Sequence, residues 1–496
     1  MTSIARAERE VQAAINRVQR SVPDAVRPLV EVETAVWSAL LALGRALVGL
    51  YLARVVARER PAVYEQGGTR YRVEVRGGRR SPLGTRFGRV PFVRPVGRPV
   101  DQRGACDLPV DRELGLCGGF SLGVVTAICR LCAQLAFAGA RGTFREFHEW
   151  SPSSRAVLRM VDTVGEHGRR FLEQLPAPDD DGQILVIQVD GRGAPMITGA
   201  EYERRRRPKR RRTDKAATKR ATRRLRRRER PRVRRTKGKK SKNAKLAVIG
   251  VIYTLRRTRQ GLEGPVNKRL YGTFESHEAL FQWLRKEAEK RGYGRKRTLF
   301  LGDGSEHIWR NQRKYFPQAE PCLDWYHVSE KLWTAGETQF AEGSGELKLW
   351  VDQMAQWLRT GQISKVLRTL ITAYRDTSKT GPGTKGRRDR LRAVIRYLFK
   401  HRHRMPYARF RADDLDIGTG VVEGAMRNVI GIRHDGPGMR WSLDRAERVL
   451  HLRCILVSGL WDQFADYLAA TPLKLAAQPR PTRPHDAVPN PLAVAA

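Results

Sequence analysis

The chain has 496 residues, 41% of them hydrophobic, and a formal net charge of +44. That length suits about two to four domains, and the apolar content allows a sizeable core, which excludes a chain disordered throughout. The charge calls for a polyanionic partner, nucleic acid first and an anionic membrane surface second. Six scattered cysteines exclude a dense secreted disulfide scaffold and point to a reducing cytoplasm.

In chain order, residues 1–68 read as N-terminal helices. The first twenty residues are charged and helical without an apolar h-region, so no signal peptide is expected. "AVWSALLALGRALVGLYLARVV" (35–56) is apolar enough to suggest a membrane span, but Arg45 stands at its middle. A central arginine costs about 2.5–3.5 kcal/mol on insertion scales, which favours a buried or self-associating helix and no membrane. A small β-hairpin module is expected within 69–110, where "YRVEVRGGRRSPLGTRFGRVPFVRPVGRP" alternates apolar residues with Gly/Pro breaks.

Residues 111–182 carry three predicted helices. The third, "SPSSRAVLRMVDTVGEHG", opens with Ser151 as N-cap and Pro152 at the first helical position. A short helix, a tight turn and a helix with Arg155 and Arg159 near its start resemble a DNA-reading helix-turn-helix, with an ordinary helical bundle as the alternative. Cys129 and Cys132 could join Cys106 and Cys117 around zinc, but the spacing fits no standard site, and core cysteines are the preferred reading.

Residues 183–330 read as alternating strands and helices interrupted at 204–242. That tract holds 24 Lys/Arg against Asp214 and Glu229, with only Leu225 and Val233 as sizeable apolar residues. It cannot bury a face, and Arg204, Arg210 and Arg227 within it are candidate phosphate contacts. Helices are expected across 331–415, last helices at 416–470, and a disordered Pro-rich tail at 471–496.

Two apolar strands, "ILVIQVDG" and "TLFLGDG", end in Asp190–Gly and Asp303–Gly. A continuous apolar run marks a central strand, and its end is where ligands and catalytic groups sit. The plain alternative is a turn aspartate. Two buried carboxylates near one another need a cation, and Mg²⁺ takes oxygen ligands. Glu423, in "VVEGAMRNVIGIRHDGPGMRW", is the third candidate carboxylate. The functional reading points Glu423 at the metals and Arg427 at a phosphate; the plain alternative is an i,i+4 ion pair between them, worth about 0.3–0.5 kcal/mol. Arg433, Arg440 and Trp441 follow, a cationic and aromatic set suited to phosphate and a stacked base.

The order strand–Asp190–Gly, hairpin, helix, strand–Asp303–Gly, "CLDWYHV", helical stretch and "VVEGAMRN…GMRW" resembles the DDE transposases of bacterial insertion sequences, the ISKra type, and more distantly the Mutator-like branch. The resemblance spans about residues 183 to 465. It implies an α/β RNase H-like catalytic core with a mostly helical insertion, beside an α-helical, helix-turn-helix-like N-terminal region with a small β module. It also implies Asp190, Asp303 and Glu423 as a catalytic triad that holds two Mg²⁺ or Mn²⁺ ions. Asp324 and His327 match an accessory motif, and Asp324 rivals Asp303 as the second aspartate. His327 would orient a carboxylate or touch the scissile strand, or else be a satisfied, partly buried histidine. The implied partners are the terminal repeats of an insertion sequence, target DNA and further copies of the chain, in a bacterial cytoplasm at the nucleoid. A catalytically inactive DNA-binding derivative and an RNA-cleaving RNase H relative are the alternatives. The dense basic tract departs from the family pattern.

Overall fold

The computed structural model describes residues 4–101, 104–198, 201, 244–436 and 439–473. The arginine-rich tract with Arg204, Arg210 and Arg227, and most of the Pro-rich tail, lie outside the described residues. The chain forms two compact units, Met1–Phe171 with Gly459–Ala496, and Leu172–Ser458.

The first unit opens with α1 (Ile4–Arg20) and α2 (Leu29–Ala57). The expected hairpin is a three-stranded antiparallel sheet of β1 (Val63–Gln66), β2 (Thr69–Arg80) and β5 (Val93–Pro99), with a separate hairpin, β3 (Leu83–Thr85) and β4 (Gly88–Val90). Leu52 and Val55 of α2 share a core cluster with Leu83, Val90, Phe92 and Val110. By length and composition alone α2 is long and apolar enough to cross a membrane. Here one side of it is buried, while Trp37, Leu40, Leu47 and Tyr51 are exposed.

Then follow α3 (Pro109–Glu113), α4 (Leu122–Gln134), α5 (Phe137–His148) and α6 (Ser154–Gln174). Helix α6 starts two residues later than the sequence suggests. The Ser153 hydroxyl accepts the Ala156 N–H at 3.2 Å, and the Ser153 carbonyl accepts the Val157 N–H at 2.9 Å. Ser153 therefore caps the helix in place of Ser151. Arg141 fastens the preceding turn by donating to the Pro152 carbonyl and the Ser154 hydroxyl. Cys129 and Cys132 are wholly buried on α4. Burial pushes the Cys117 thiol up to about 11.

The second unit is a mixed α/β fold around a five-stranded sheet. Its strands are β6 (Ile184–Pro195), β7 (Ala244–Thr258), β8 (Gly261–Thr273), β9 (Arg297–Gly302) and β10 (Glu320–Leu323), in the order β10-β9-β6-β7-β8. Strands β6, β7 and β8 form an antiparallel meander, and β9 and β10 run parallel to β6. Ile184 to Val189 are all buried, which is why this strand reads as one apolar run. Helix α7 (His277–Lys290) sets Leu280 and Leu284 against Gly250. Gly272 pairs with Ile249, one residue along, so it faces the other side of the sheet. There it meets Leu450 of α16 (Leu443–Val457).

Between the strands and after them lie α8 (Glu306–Tyr315), α9 (Trp325–Gly336), α10 (Gly345–Arg359), α11 (Ile363–Asp376), α12 (Thr384–His401), α13 (Tyr407–Ala412), α14 (Gly420–Met426), a π-turn (Arg427–Gly431) and α15 (Ile432–His434). Within "CLDWYHV" β10 stops at Leu323, and Asp324 caps α9. Two helices close the described chain. Gly459, at φ 74°, ends α16, and α17 (Trp461–Ala469) belongs to the first unit, where Phe464 packs on Phe171 at 5.2 Å.

Candidate active site

The strand register builds this site. Parallel pairing of β6 with β9 ends at Val189 opposite Gly302, and pairing of β10 with β9 ends at Leu323 opposite the same Gly302. The next residue on each strand is an aspartate. Asp190, Asp303 and Asp324 therefore stand at one level on three neighbouring strands, Asp303 and Asp324 just past the ends of β9 and β10 and Asp190 within β6. The Asp324 N–H donates to the Gly302 carbonyl at 2.9 Å, extending that level by one backbone bond.

Strand β6 does not turn away at Gly191. It continues to Pro195, with Asp190 still paired to Ile249 of β7. The opening exists on the β9 side alone, where the parallel partner has stopped. The expectation of a strand end at Asp190 is corrected accordingly: β7 is long enough to hold β6 extended while β9 is not.

Each carboxylate is held differently. Asp190 accepts the Gly191 N–H at 2.6 Å, and Asp303 accepts the Ser305 N–H at 2.7 Å. The Trp309 indole N–H donates to the Asp303 carbonyl at 2.7 Å, fixing that backbone. Asp324 is fully buried and both its oxygens are engaged. Oδ1 accepts the Thr419 N–H at 2.7 Å, while Oδ2 accepts the His327 N–H at 2.9 Å and lies 2.6 Å from His327 Nδ1. Asp324 thus caps α9 and ties it to the start of α14.

Glu423 stands in the first turn of α14 and takes a hydrogen bond from the Thr419 hydroxyl at 3.1 Å. The helix itself is pinned from the sheet by Gln188. This fully buried amide accepts the Val422 N–H at 2.9 Å and donates to the Tyr253 hydroxyl at 3.1 Å. Among the described residues Glu423 and Arg427 form no ion pair, which leaves Glu423 to the carboxylate cluster. The sequence pattern singles out neither Gln188 nor Thr419. The signal for Gln188 is a lone amide inside an apolar strand buried on both faces, where a polar group needs partners.

Electrostatics confirms that these groups feel one another. Burial pushes the Asp190 carboxyl above its ordinary value, and the Asp303 and Glu423 charges add to the rise. His327 is raised to about 9, mainly by its hydrogen bond to Asp324, with the Asp303 and Asp190 charges contributing against burial. Asp324 is lowered, because its hydrogen bonds from His327 and Thr419 outweigh burial.

Carboxylates gathered this closely suit a hard divalent cation, whose charge relieves their repulsion. Asp324, His327 and Glu423 bring ligand-capable atoms within 4.8 Å of one another. The Asp324 oxygens are already taken by three hydrogen bonds. An imidazole held by a carboxylate through one nitrogen presents the other to a metal, as ligand-orienting pairs do. Among the described residues Asp324, His327 and Glu423 are the group whose ligand atoms lie this close, and Asp190 and Asp303 stand at the same level of the sheet as Asp324.

The remaining expected residues fall into separate places. Arg155 is exposed and Arg159 partly buried on α6, in the first unit. Arg427 and Arg440 are exposed. Arg433 and Trp441 are interior, and the surface role expected for them is corrected. The Arg433 guanidinium lies 4.6 Å from the Trp441 ring centroid, and the indole N–H donates to the His434 carbonyl at 3.0 Å. The Trp441 carbonyl accepts the Ile197 N–H at 2.8 Å, fastening "GMRW" to the far end of β6. A large ring whose N–H finds a buried carbonyl gains more from burial than from solvent exposure.

No known family model and no curated protein matches the chain. Among solved structures it is similar to the Drosophila P element transposase strand transfer complex, at 11% identity and a TM-score of 0.28, over 68% of this chain and 91% of that one.

Proposed function

We propose that the chain is a DDE-type DNA transposase with an RNase H-like core, which cuts and joins DNA strands at the ends of an insertion sequence. The observation that carries this reading is the shared level of Asp190, Asp303 and Asp324 on three neighbouring strands, with Glu423 and His327 close to Asp324. A three-stranded antiparallel meander continued by two parallel strands supports the RNase H-like assignment.

In this reading Asp190, Asp303 and Glu423 hold two Mg²⁺ or Mn²⁺ ions, and Asp303 is the second aspartate of the triad. Asp303 accepts one backbone N–H on one oxygen, whereas Asp324 accepts hydrogen bonds on both of its oxygens. Bound in a pair, such ions activate the attacking oxygen and stabilise the leaving 3′ oxygen of an in-line displacement. The chain's own contribution is placement. Gln188 and Thr419 set the height and direction of Glu423, and Asp324 holds His327 toward the cluster. Water adds to phosphorus as the P–O3′ bond breaks, leaving a 3′-OH and a 5′-phosphate. The 3′-OH then displaces a 3′ oxygen from a target phosphate. No covalent protein nucleophile takes part.

Arg155 and Arg159 on α6, with Arg427 and Arg440, are the described cations we assign to DNA. Bringing two element ends together requires at least two copies of the chain.

The test is divalent-metal-dependent nicking of DNA carrying the element's own ends, with gel-shift binding recorded on the same samples. Wild type is expected to nick in Mg²⁺ or Mn²⁺, while Asp190→Asn, Asp303→Asn and Glu423→Gln bind but do not cut. A wild type that binds and never cuts would favour a non-catalytic binding protein. If Asp303→Asn alone still cuts, Asp324 takes the place of Asp303. Preference for an RNA–DNA hybrid over duplex DNA would instead point to an RNase H relative.

A further inference from the structure

The proposed function leaves one polar group beside the carboxylates without a task. Tyr397 lies on α12, in the helical stretch between Asp303 and Glu423. Its ring sits against Gly304, the residue after Asp303. A methyl group on Gly304 would fall 2.6 Å from the tyrosine hydroxyl oxygen and 2.8 Å from Cζ, closer than real contacts allow. Gly304 is not among the glycines with positive φ. The tight approach of the tyrosine, and not a left-handed turn, is what demands glycine in this second Asp-Gly pair.

The ring is held by its surroundings. His401, one turn along α12, packs at 4.8 Å between centroids, and the Lys331 ammonium of α9 lies 5.6 Å from the ring centroid. Among the described residues the hydroxyl itself makes no hydrogen bond. A partly buried tyrosine ordinarily places its O–H on a partner. Burial raises its pKa, and the charges of Asp303, Asp324 and Glu330 raise it further. The group therefore remains a phenol, a donor and not a phenolate nucleophile.

Resting on the metal-dependent phosphodiester reading above, we propose that the Tyr397 hydroxyl donates a hydrogen bond to a non-bridging oxygen of the phosphate reacting at Asp190, Asp303 and Glu423. A carboxylate cluster repels the phosphate it must process. A neutral O–H donor over Gly304 offsets part of that repulsion while adding no charge that competes for the cation. Stabilisation aimed at developing negative charge on phosphate is the kind that raises rate more than affinity.

The experiment uses the full chain and duplex DNA bearing the element's ends. Single-turnover nicking is measured in Mn²⁺, DNA affinity in Ca²⁺, and Mn²⁺ affinity by the paramagnetic signal of the free ion. Tyr397→Phe keeps the ring and its packing. It is expected to slow nicking by about tenfold to a hundredfold, the range for one hydrogen bond to a charged group, with both affinities unchanged. Gly304→Ala should slow nicking as well by displacing the ring, and adding it to Tyr397→Phe should cost less than the two separate losses combined.

If wild type nicks and Tyr397→Phe nicks as fast, the inference fails while the metal-site reading stands. Loss of Mn²⁺ or DNA affinity in Tyr397→Phe would reduce the tyrosine to a packing role and overturn it. A covalent protein–DNA adduct present in wild type and missing from Tyr397→Phe would make it a nucleophile, overturning both. A wild type that never nicks removes the reading and this inference together.

Discussion

Gln188 offers the sharpest test of how the site is assembled. Its side chain is fully buried in β6, and its two polar ends reach in different directions, to the Val422 N–H and to the Tyr253 hydroxyl. Val422 is in the first turn of α14, where backbone N–H groups have no partner within the helix. Gln188→Leu conserves the approximate volume but strands that N–H in a dry interior and deprives the Tyr253 hydroxyl of its donor. An orphaned buried group costs about 1–3 kcal/mol, so the pair together should cost about 2–6 kcal/mol. Hydrogen exchange at the β6 and β9 amides reports the opening free energy of this sheet directly, independently of the first unit. Tyr253→Phe should cost about 1 kcal/mol, and the double variant less than the sum, because the two residues share one bond. Because Val422 precedes Glu423, Gln188→Leu should also depress metal-dependent nicking well beyond its effect on DNA binding. A loss of protection below about 0.5 kcal/mol, inside the range of ordinary surface substitutions, would refute the claim that Gln188 anchors α14.

Three further expectations concern the frame around the site. Asp181 is held at about 2 against burial by the Arg291 guanidinium, the Thr254 hydroxyl and Asn267. With the folded value depressed, the unfolded chain binds the extra proton. The resulting stability, about 2 kcal/mol, is present above pH 4 and is lost as pH falls toward 2. Unfolding measured between pH 2 and 6 should show this loss, and Asp181→Asn should remove it. Arg269 and Glu287 form a buried ion pair, the two side chains 8% and 1% exposed. Glu287→Gln should cost about 3–5 kcal/mol by leaving the buried Arg269 charge uncompensated, and Arg269→Ala less, because Lys290 still lies 3.6 Å from Glu287. Arg269→Met with Glu287→Leu should cost much less than Glu287→Gln in the same melts. Gly459 adopts φ 74° at the end of α16, so Gly459→Ala should lower stability by about 1 kcal/mol, read as a drop in Tm without change in nicking rate.

Much of the helical and strand content was legible in the chain itself. The runs at 184–189 and 298–302 are buried strands because a mostly apolar stretch of that length has few other homes. The turn at 459 and the cap at Ser153 were less legible, since several small or polar residues compete for each boundary. Asp190 and Asp303 could be picked out by their common strand–Asp–Gly context, but that context has different causes. At Asp190 the strand runs on through Gly191, and at Asp303 the glycine makes room for Tyr397.

The local periodicities and the places where carboxylates follow apolar runs are legible along the chain because they depend on neighbours a few residues apart, and the basic excess because it depends on composition alone. Only the tertiary structure decided that Asp190, Asp303 and Asp324 share a level. Asp190 and Asp303 lie 113 residues apart in the chain. Their alignment follows from the backbone register of β6, β9 and β10, and a slip of one residue would have turned these side chains to the other face. The same holds for Arg433 and Trp441, whose composition suits a DNA-facing surface but whose packing places them inside. What a polar side chain does depends on the partner that folding brings within about 3 Å, and that partner lies elsewhere in the chain.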